Sequence, residues 1–217
     1  PISIGFIAWI GLIPYIIAID RCKSYNEIIK VSFLWGFLYH LIVVFWLASN
    51  IGTTKIIAFI SMVAAVLILS ANTIIISLIW FKIKNKISKY KFYLLPFIWV
   101  SIEYIRSYGV LGFPWVSLSN SQLDYLFLIQ NVEYTGIYGI SFWIVLINVI
   151  IYDFIYKDSS KTKLCILIIV FIFPWITGSI LYFNQNKNFL KEESSLSFLS
   201  IQPNINLFQK RDSFLKK

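Results

Sequence analysis

The chain has 217 residues, 59% of them hydrophobic, 18% aromatic and only 13% charged, with a mean hydropathy of +0.77. The apolar residues run in blocks of about 20 without two-residue alternation, which excludes a soluble globular domain and a β-barrel and leaves a membrane bundle of helices. Nineteen Lys and Arg against ten Asp and Glu give a net charge of +9, but they are spread over short separate loops, which excludes a nucleic-acid groove and suits contact with anionic lipid.

Six blocks are predicted as spans, in chain order: residues 4–19, 28–49, 56–81, 92–107, 136–156 and 164–183. Most approach the length needed to cross about 30 Å of hydrocarbon at about 1.5 Å per residue. The first, which carries Pro14, and the fourth are short and require neighbours. Residues 184–195 read as a polar linker. Residues 196–201 (LSFLSI) alternate like a strand, and Gln202, Pro203 and Asn204 read as a turn off its end. Residues 196–217 therefore read as the start of a domain outside the membrane, in which one strand cannot stand alone.

The connections alternate in charge. Eleven basic residues lie in or beside the first, third and fifth connections, among them Arg21, Lys23, Lys82, Lys91, Lys157 and Lys163. The opposite side offers Lys55, with Arg106 at its rim, and residues 108–135 contain no Lys or Arg. The positive-inside rule makes the basic side cytoplasmic, which puts the 108–135 loop and the C-terminal tail on the outer face. Six spans then leave Pro1 outside, so a further span is expected upstream of it. Cys22 and Cys165 stand far apart in sequence with no metal-ligand spacing around them, so neither a metal nor a cofactor is expected.

Candidate chemistry concentrates between Glu103 and Gln122 (EYIRSYGVLGFPWVSLSNSQ). Glu103 and Arg106, three apart on a helix, share a face and can pair. The guanidinium is also suited to fork onto a phosphate headgroup. Phe113, Pro114 and Trp115 combine a fixed backbone angle with large aromatics, which fits either an interfacial anchor or the border of a lipid entrance. Gln122 adds an amide at the far end. His40, Asn72 and Asn148 read as hydrogen-bonding groups between spans, and Asp153 is expected to pair with Lys157. No nucleophile with an adjacent base, phosphate loop or carboxylate pair can be assembled.

The run FLWGFLYH in the second block, the segment ending GFPWVSLSNSQ, the GIYGISF opening of the fifth block and the QPN strand exit together resemble bacterial apolipoprotein N-acyltransferases over essentially the whole chain. The resemblance implies an all-α multispan bundle of eight spans followed by an outward-facing α/β domain of the nitrilase (carbon–nitrogen hydrolase) type, of which this chain would hold the first strand. It implies transfer of a fatty acyl chain from a phospholipid to the N-terminal amine of a diacylglyceryl-cysteine lipoprotein, at a bacterial inner membrane. A Glu base, an oxyanion-stabilising Lys and a nucleophilic Cys would all lie beyond Lys217, so the 217 residues alone are expected to be inactive. Glu103, Arg106, Phe113, Pro114, Trp115 and Gln122 are the candidates for contacting lipid. The competing readings are a small multispan transporter, which would need polar groups at mid-span, and a membrane scaffold without chemistry.

Overall fold

A computed structural model describes residues 4–84, 91–109, 112–189 and 199–202. Among these residues four helices are long and apolar enough to cross a membrane. They are α3 (Tyr25–Val44), continued by a 3-10 turn at Phe45–Ser49; α4 (Lys55–Lys84); α7 (Val132–Tyr156); and α8 (Lys161–Phe189). Four shorter helices pack among them: α1 (Ala8–Gly11), α2 (Ile13–Arg21), α5 (Leu95–Arg106) and α6 (Leu126–Ile129). The protein is a multi-pass membrane bundle.

Local chemistry sets the boundaries. Ser24 caps α3 by accepting from the Glu27 backbone N–H (3.3 Å), and Glu27 reaches back to the Lys23 N–H (2.8 Å), a variant of the capping box. Thr54 plays the same part at α4 through the Ile57 N–H (3.4 Å). In α7 the regular helix begins after Gly136, whose φ of 63° breaks the first turn and favours glycine. That break falls where the fifth block was expected to open.

The first and fourth blocks depart from the expected spans. Residues 4–19 form a 3-10 turn at Gly5–Ile7, then α1, then α2. At the joint, the Leu12 N–H does not bond to the Ala8 carbonyl. It donates to Asn148 Oδ1 (2.9 Å), while Asn148 Nδ2 donates to the Ala8 carbonyl (2.8 Å). The Asn148 amide from α7 is thus spliced into the backbone ladder, and a splice of that kind bends a helix. The fourth block becomes a 3-10 turn at Lys91–Leu94 followed by α5 with Pro96 in its first turn. Its 12 residues span roughly 18 Å, well short of the hydrocarbon core. Both short segments lie against longer helices, α1 and α2 on α7, and α5 on α4 and α7.

α7 is the central rod, touching α1, α2, α5 and α8. Around it Tyr15, Ile16 and Ile19 of α2, Trp80 of α4, Leu95 of α5 and Ile144 and Ile147 of α7 form the main core. α3 and α4 pack extensively on each other, and Ser32, Gly36 and Thr73, all small, meet across the seam. Lipid tails are as apolar as leucine, so close approach and hydrogen bonds hold such a pair rather than hydrophobicity. A Cβ at Gly36 would run into Thr73, whose hydroxyl contacts the carbonyls of Ser70 (2.6 Å) and Ser32 (3.2 Å).

One end of the bundle is basic and is gathered by a single carboxylate. Asp20 accepts from Lys91 Nζ (3.1 Å), Lys157 Nζ (2.9 Å) and Tyr152 Oη (2.6 Å). Lys157 therefore serves Asp20, and the expected Asp153–Lys157 pair does not form. Asp153 pairs with Lys163 (2.6 Å) at the start of α8 instead. Burial alone would raise the Asp20 carboxyl, but hydrogen bonds from Lys157, Tyr152 and Lys91 outweigh it and lower the group from 3.8 to about 2. A carboxyl lowered by folding adds stability above its unfolded value of 3.8 and loses it as the pH falls through about 2. Asp20→Asn should therefore lower the melting temperature of the detergent-solubilised protein at neutral pH. The gap from wild type should close as pH falls through that window; a gap that ignores pH would mean lost packing rather than lost charge.

α8 contains Pro174, which has no N–H for the Val170 carbonyl. Trp143 Nε1 of α7 takes that acceptor (2.8 Å), and Asn131 Nδ2 donates to the Pro174 carbonyl (2.8 Å) while its Oδ1 accepts from the Thr177 hydroxyl (2.6 Å). The helix runs to Phe189, past the 183 boundary and into the expected linker. The expected strand lies partly outside the described residues: residues 196–198 are not described, and residues 199–202 are described without regular structure. No strand occurs among the described residues.

Candidate functional site

The site grows from the chain reversal after α5. Gly109 takes a φ of 82°, a glycine conformation, and the Phe113 N–H returns to the Arg106 carbonyl (3.1 Å). Two 3-10 turns follow, at Pro114–Val116 and Leu118–Gln122. Val116 and Phe113 sink into a second apolar cluster with Val44, Met62, Val66 and Leu69 of the α3–α4 pair. That anchorage turns Trp115 outward, at 68% exposure. Asn120 Nδ2 fixes the turn by donating to the Trp115 carbonyl (2.8 Å).

Beneath the loop lies a layer of buried polar bonds. Glu103 Oε1 accepts from the Leu118 N–H (2.9 Å) and from Trp99 Nε1 (3.1 Å). The Ser119 N–H donates to Ser141 Oγ (3.1 Å). Gln122 is fully buried; its Oε1 accepts from Trp9 Nε1 (3.0 Å) and its Nε2 donates to the Gly5 carbonyl (2.9 Å) and to Ser121 Oγ (2.7 Å). Each bond replaces the water these groups lack at this depth.

Between the loop, the Gly5–Ile7 turn with α1, and α3 lies a cavity of about 770 Å³. Its apolar walls include Ile7, Leu12, Trp35, Leu38 and Ile42; its polar edge is Ser117, Asn120, Ser121 and Asp124, with Trp115 beside them. Leu38 and Ile42 line the cavity and are exposed, so the cavity is open along α3. Trp35 stacks on Tyr39 within its wall, with ring centres 5.1 Å apart. An apolar chamber of this size with a few polar groups at one edge suits a molecule that is fatty at one end and polar at the other.

The six residues singled out by sequence occupy distinct places. Trp115 lines the cavity. Phe113 is packed into the second cluster, and Pro114 is exposed at the start of the turn. Arg106 stands behind Ser117, with Nη2 3.5 Å from its hydroxyl and Nε buried without a hydrogen bond. Glu103 and Arg106 feel each other's charge, but the expected direct pair does not form; Glu103 spends Oε1 on Leu118 and Trp99. Gln122 faces the Gly5–Trp9 segment. Trp9, Tyr39 and Ser141 were not singled out. An indole in an apolar block needs an acceptor, and that requirement was the available signal for Trp9.

His40 Nδ1 is 2.7 Å from the Gly36 carbonyl of its own helix, and Asn148 bonds to backbone of α1, of the α1–α2 joint and of α7, as expected of a group between helices. Among the described residues Asn72 makes no hydrogen bond, and no three metal-binding side chains gather.

The family model described as Apolipoprotein N-acyltransferase N-terminal domain matches residues 1–150, which hold both the loop and every wall of the cavity. Curated relatives carry the same description. The apolipoprotein N-acyltransferase of Chlorobaculum tepidum is 23% identical over 95% of this chain and 38% of its own length. That of Geobacter metallireducens is 28% identical over 73% of this chain and 31% of its own. Apolipoprotein N-acyltransferase 1 of Treponema denticola is 29% identical over 92% and 36%. The chain thus spans about a third of the length of these relatives. With more than half its residues inside the family match, the chain belongs to the apolipoprotein N-acyltransferase family, of which it carries the N-terminal domain.

Proposed function

We propose that this chain is the membrane part of an enzyme that moves a fatty acyl group from a phospholipid to the N-terminal amine of a diacylglyceryl-cysteine lipoprotein. The cavity beside Trp115 carries the reading: its apolar walls suit an acyl chain and its polar edge suits a headgroup or ester. Arg106, behind Ser117, supplies positive charge on the side where a phosphate would sit. Glu103 and Gln122 shape the site through the loop, and Phe113 and Pro114 seat it. In this reading residues 1–183 form the membrane domain, and the chain beyond α8 leads into an outward-facing nitrilase-like domain that begins near residue 196. The basic end faces the cytoplasm of an inner membrane by the positive-inside rule, and the Trp115 loop faces outward.

The chemistry belongs to that outer domain. A cysteine thiolate attacks the phospholipid ester carbonyl, forms a thioester and releases the lysophospholipid. The lipoprotein amine then attacks the thioester, an amide forms, and the thiol is regenerated. A Glu manages the protons and a Lys stabilises the oxyanion. The membrane part presents the ester at the lipid boundary. Trp115→Ala in the full-length protein should slow thioester formation from phospholipid about tenfold, through weaker donor positioning. Unchanged rates in both half-reactions would remove Trp115 from the site.

A further inference from the structure

Gln122 has no polar atom left for a ligand, and its bonds all run along one seam. We infer that Gln122, Trp9 and Gly5 form a fastening that sets the width of the cavity beside Trp115, and so how tightly it holds an acyl donor. This rests on the acyl-donor reading above, and it makes Gln122 a positioning residue rather than a lipid contact.

Two walls of the cavity come from segments more than a hundred residues apart in sequence: the Gly5–Ile7 turn with α1, and the Leu118–Gln122 turn. Gln122 joins them with bonds in both directions, accepting from Trp9 Nε1 (3.0 Å) and donating to the Gly5 carbonyl (2.9 Å). Backbone meets backbone at the same seam. A Cβ built on Gly5 would collide with the Ser121 carbonyl oxygen, and the Tyr125 ring would lie 3.0 Å away. Glycine is therefore required there to let the walls touch. The loop wall is held from behind by Glu103 and Ser141, and the N-terminal wall by Asn148. Each wall is fixed to the bundle on its far side, and the Gln122 seam is where the two are tied to each other. Gly5 and Ser121 both line the chamber, so loosening the seam changes the space an acyl chain meets.

The test uses the full-length protein in lipid nanodiscs. Gln122→Met keeps the side-chain length and removes the bonds; Gly5→Ala leaves every polar group in place and forces the walls apart. Both should raise backbone hydrogen exchange in the 4–12 and 118–124 segments about tenfold, the scale of one lost buried hydrogen bond. Both should raise KM for a diacyl phospholipid about tenfold while kcat stays within about twofold. Trp9→Phe combined with Gln122→Met should cost no more than Gln122→Met alone. Unchanged exchange overturns the fastening, as does faster exchange with KM unmoved, or a fall in kcat that tracks KM. If the unaltered full-length protein transfers no acyl group, the acyl-transfer reading fails instead, and hydrogen exchange alone decides whether the seam is fastened by Gln122.

Discussion

Glu103→Leu should destabilise the detergent-solubilised bundle by about 3–5 kcal/mol, the range for removing one partner of a buried charged network. Three losses coincide. The Leu118 N–H and Trp99 Nε1 lose the carboxylate oxygen that accepts from both, and an orphaned buried donor costs about 1–3 kcal/mol. Arg106, half-buried with Nε unbonded, loses the nearest countercharge. Glu103→Gln separates the terms, because its amide oxygen still accepts from Leu118 and Trp99. It should recover most of the stability, and the remaining deficit then measures what Arg106 gains from the charge. Thermal unfolding of both variants in one detergent reads the difference. Equal losses for Leu and Gln would mean that charge, not the hydrogen bonds to the loop, is what Glu103 supplies.

Asn148→Leu should cost about 2–3 kcal/mol, close to that of a buried backbone pair left without partners. Leucine keeps the branched shape and heavy-atom count of asparagine, but its two methyl groups are bulkier, so Asn148→Ala serves as the control for overpacking at this buried position. The loss is the amide spliced between Leu12 and Ala8, with its third bond to the Ile144 carbonyl (2.8 Å). Hydrogen bonds between membrane helices average only about 0.6 kcal/mol, because segments apart in the bilayer find other partners. Leu12 N–H lacks that option while α1 and α2 stay docked on α7. A loss near the 0.6 kcal/mol average for Leu would show that the joint closes into ordinary helix once the amide is gone.

Much of this was legible in the sequence. The apolar blocks gave the four long helices because length and hydropathy are sufficient for a rod that must satisfy its own backbone in lipid. The Gly-Phe-Pro-Trp segment marked the loop because glycine, proline and interfacial aromatics punctuate a chain in ways that local rules describe. Asn148 was read correctly as a group bonding between helices. What escaped was pairing over distance. Glu103 and Arg106 share a helical face, yet Glu103 Oε1 accepts from Leu118 and Trp99 while the guanidinium turns to Ser117, and Oε2 is left without a hydrogen-bond partner among the described residues. Lys157 lay one turn from Asp153, but Asp20 draws it away because Tyr152 and Lys91 converge there too. The break in the first block was signalled by Gly11 and Pro14; that its gap is filled by an amide far along the chain was not.

α8 is scarcely covered by the rest of the bundle, yet polar ties recur along it at Lys163, Val170, Pro174, Thr177 and Gln185. Its grip is that of a zip rather than of glue. Directional teeth set its tilt and rotation. The bearing of α8 up to Phe189 is thus written by Asn131, Trp143 and a single proline.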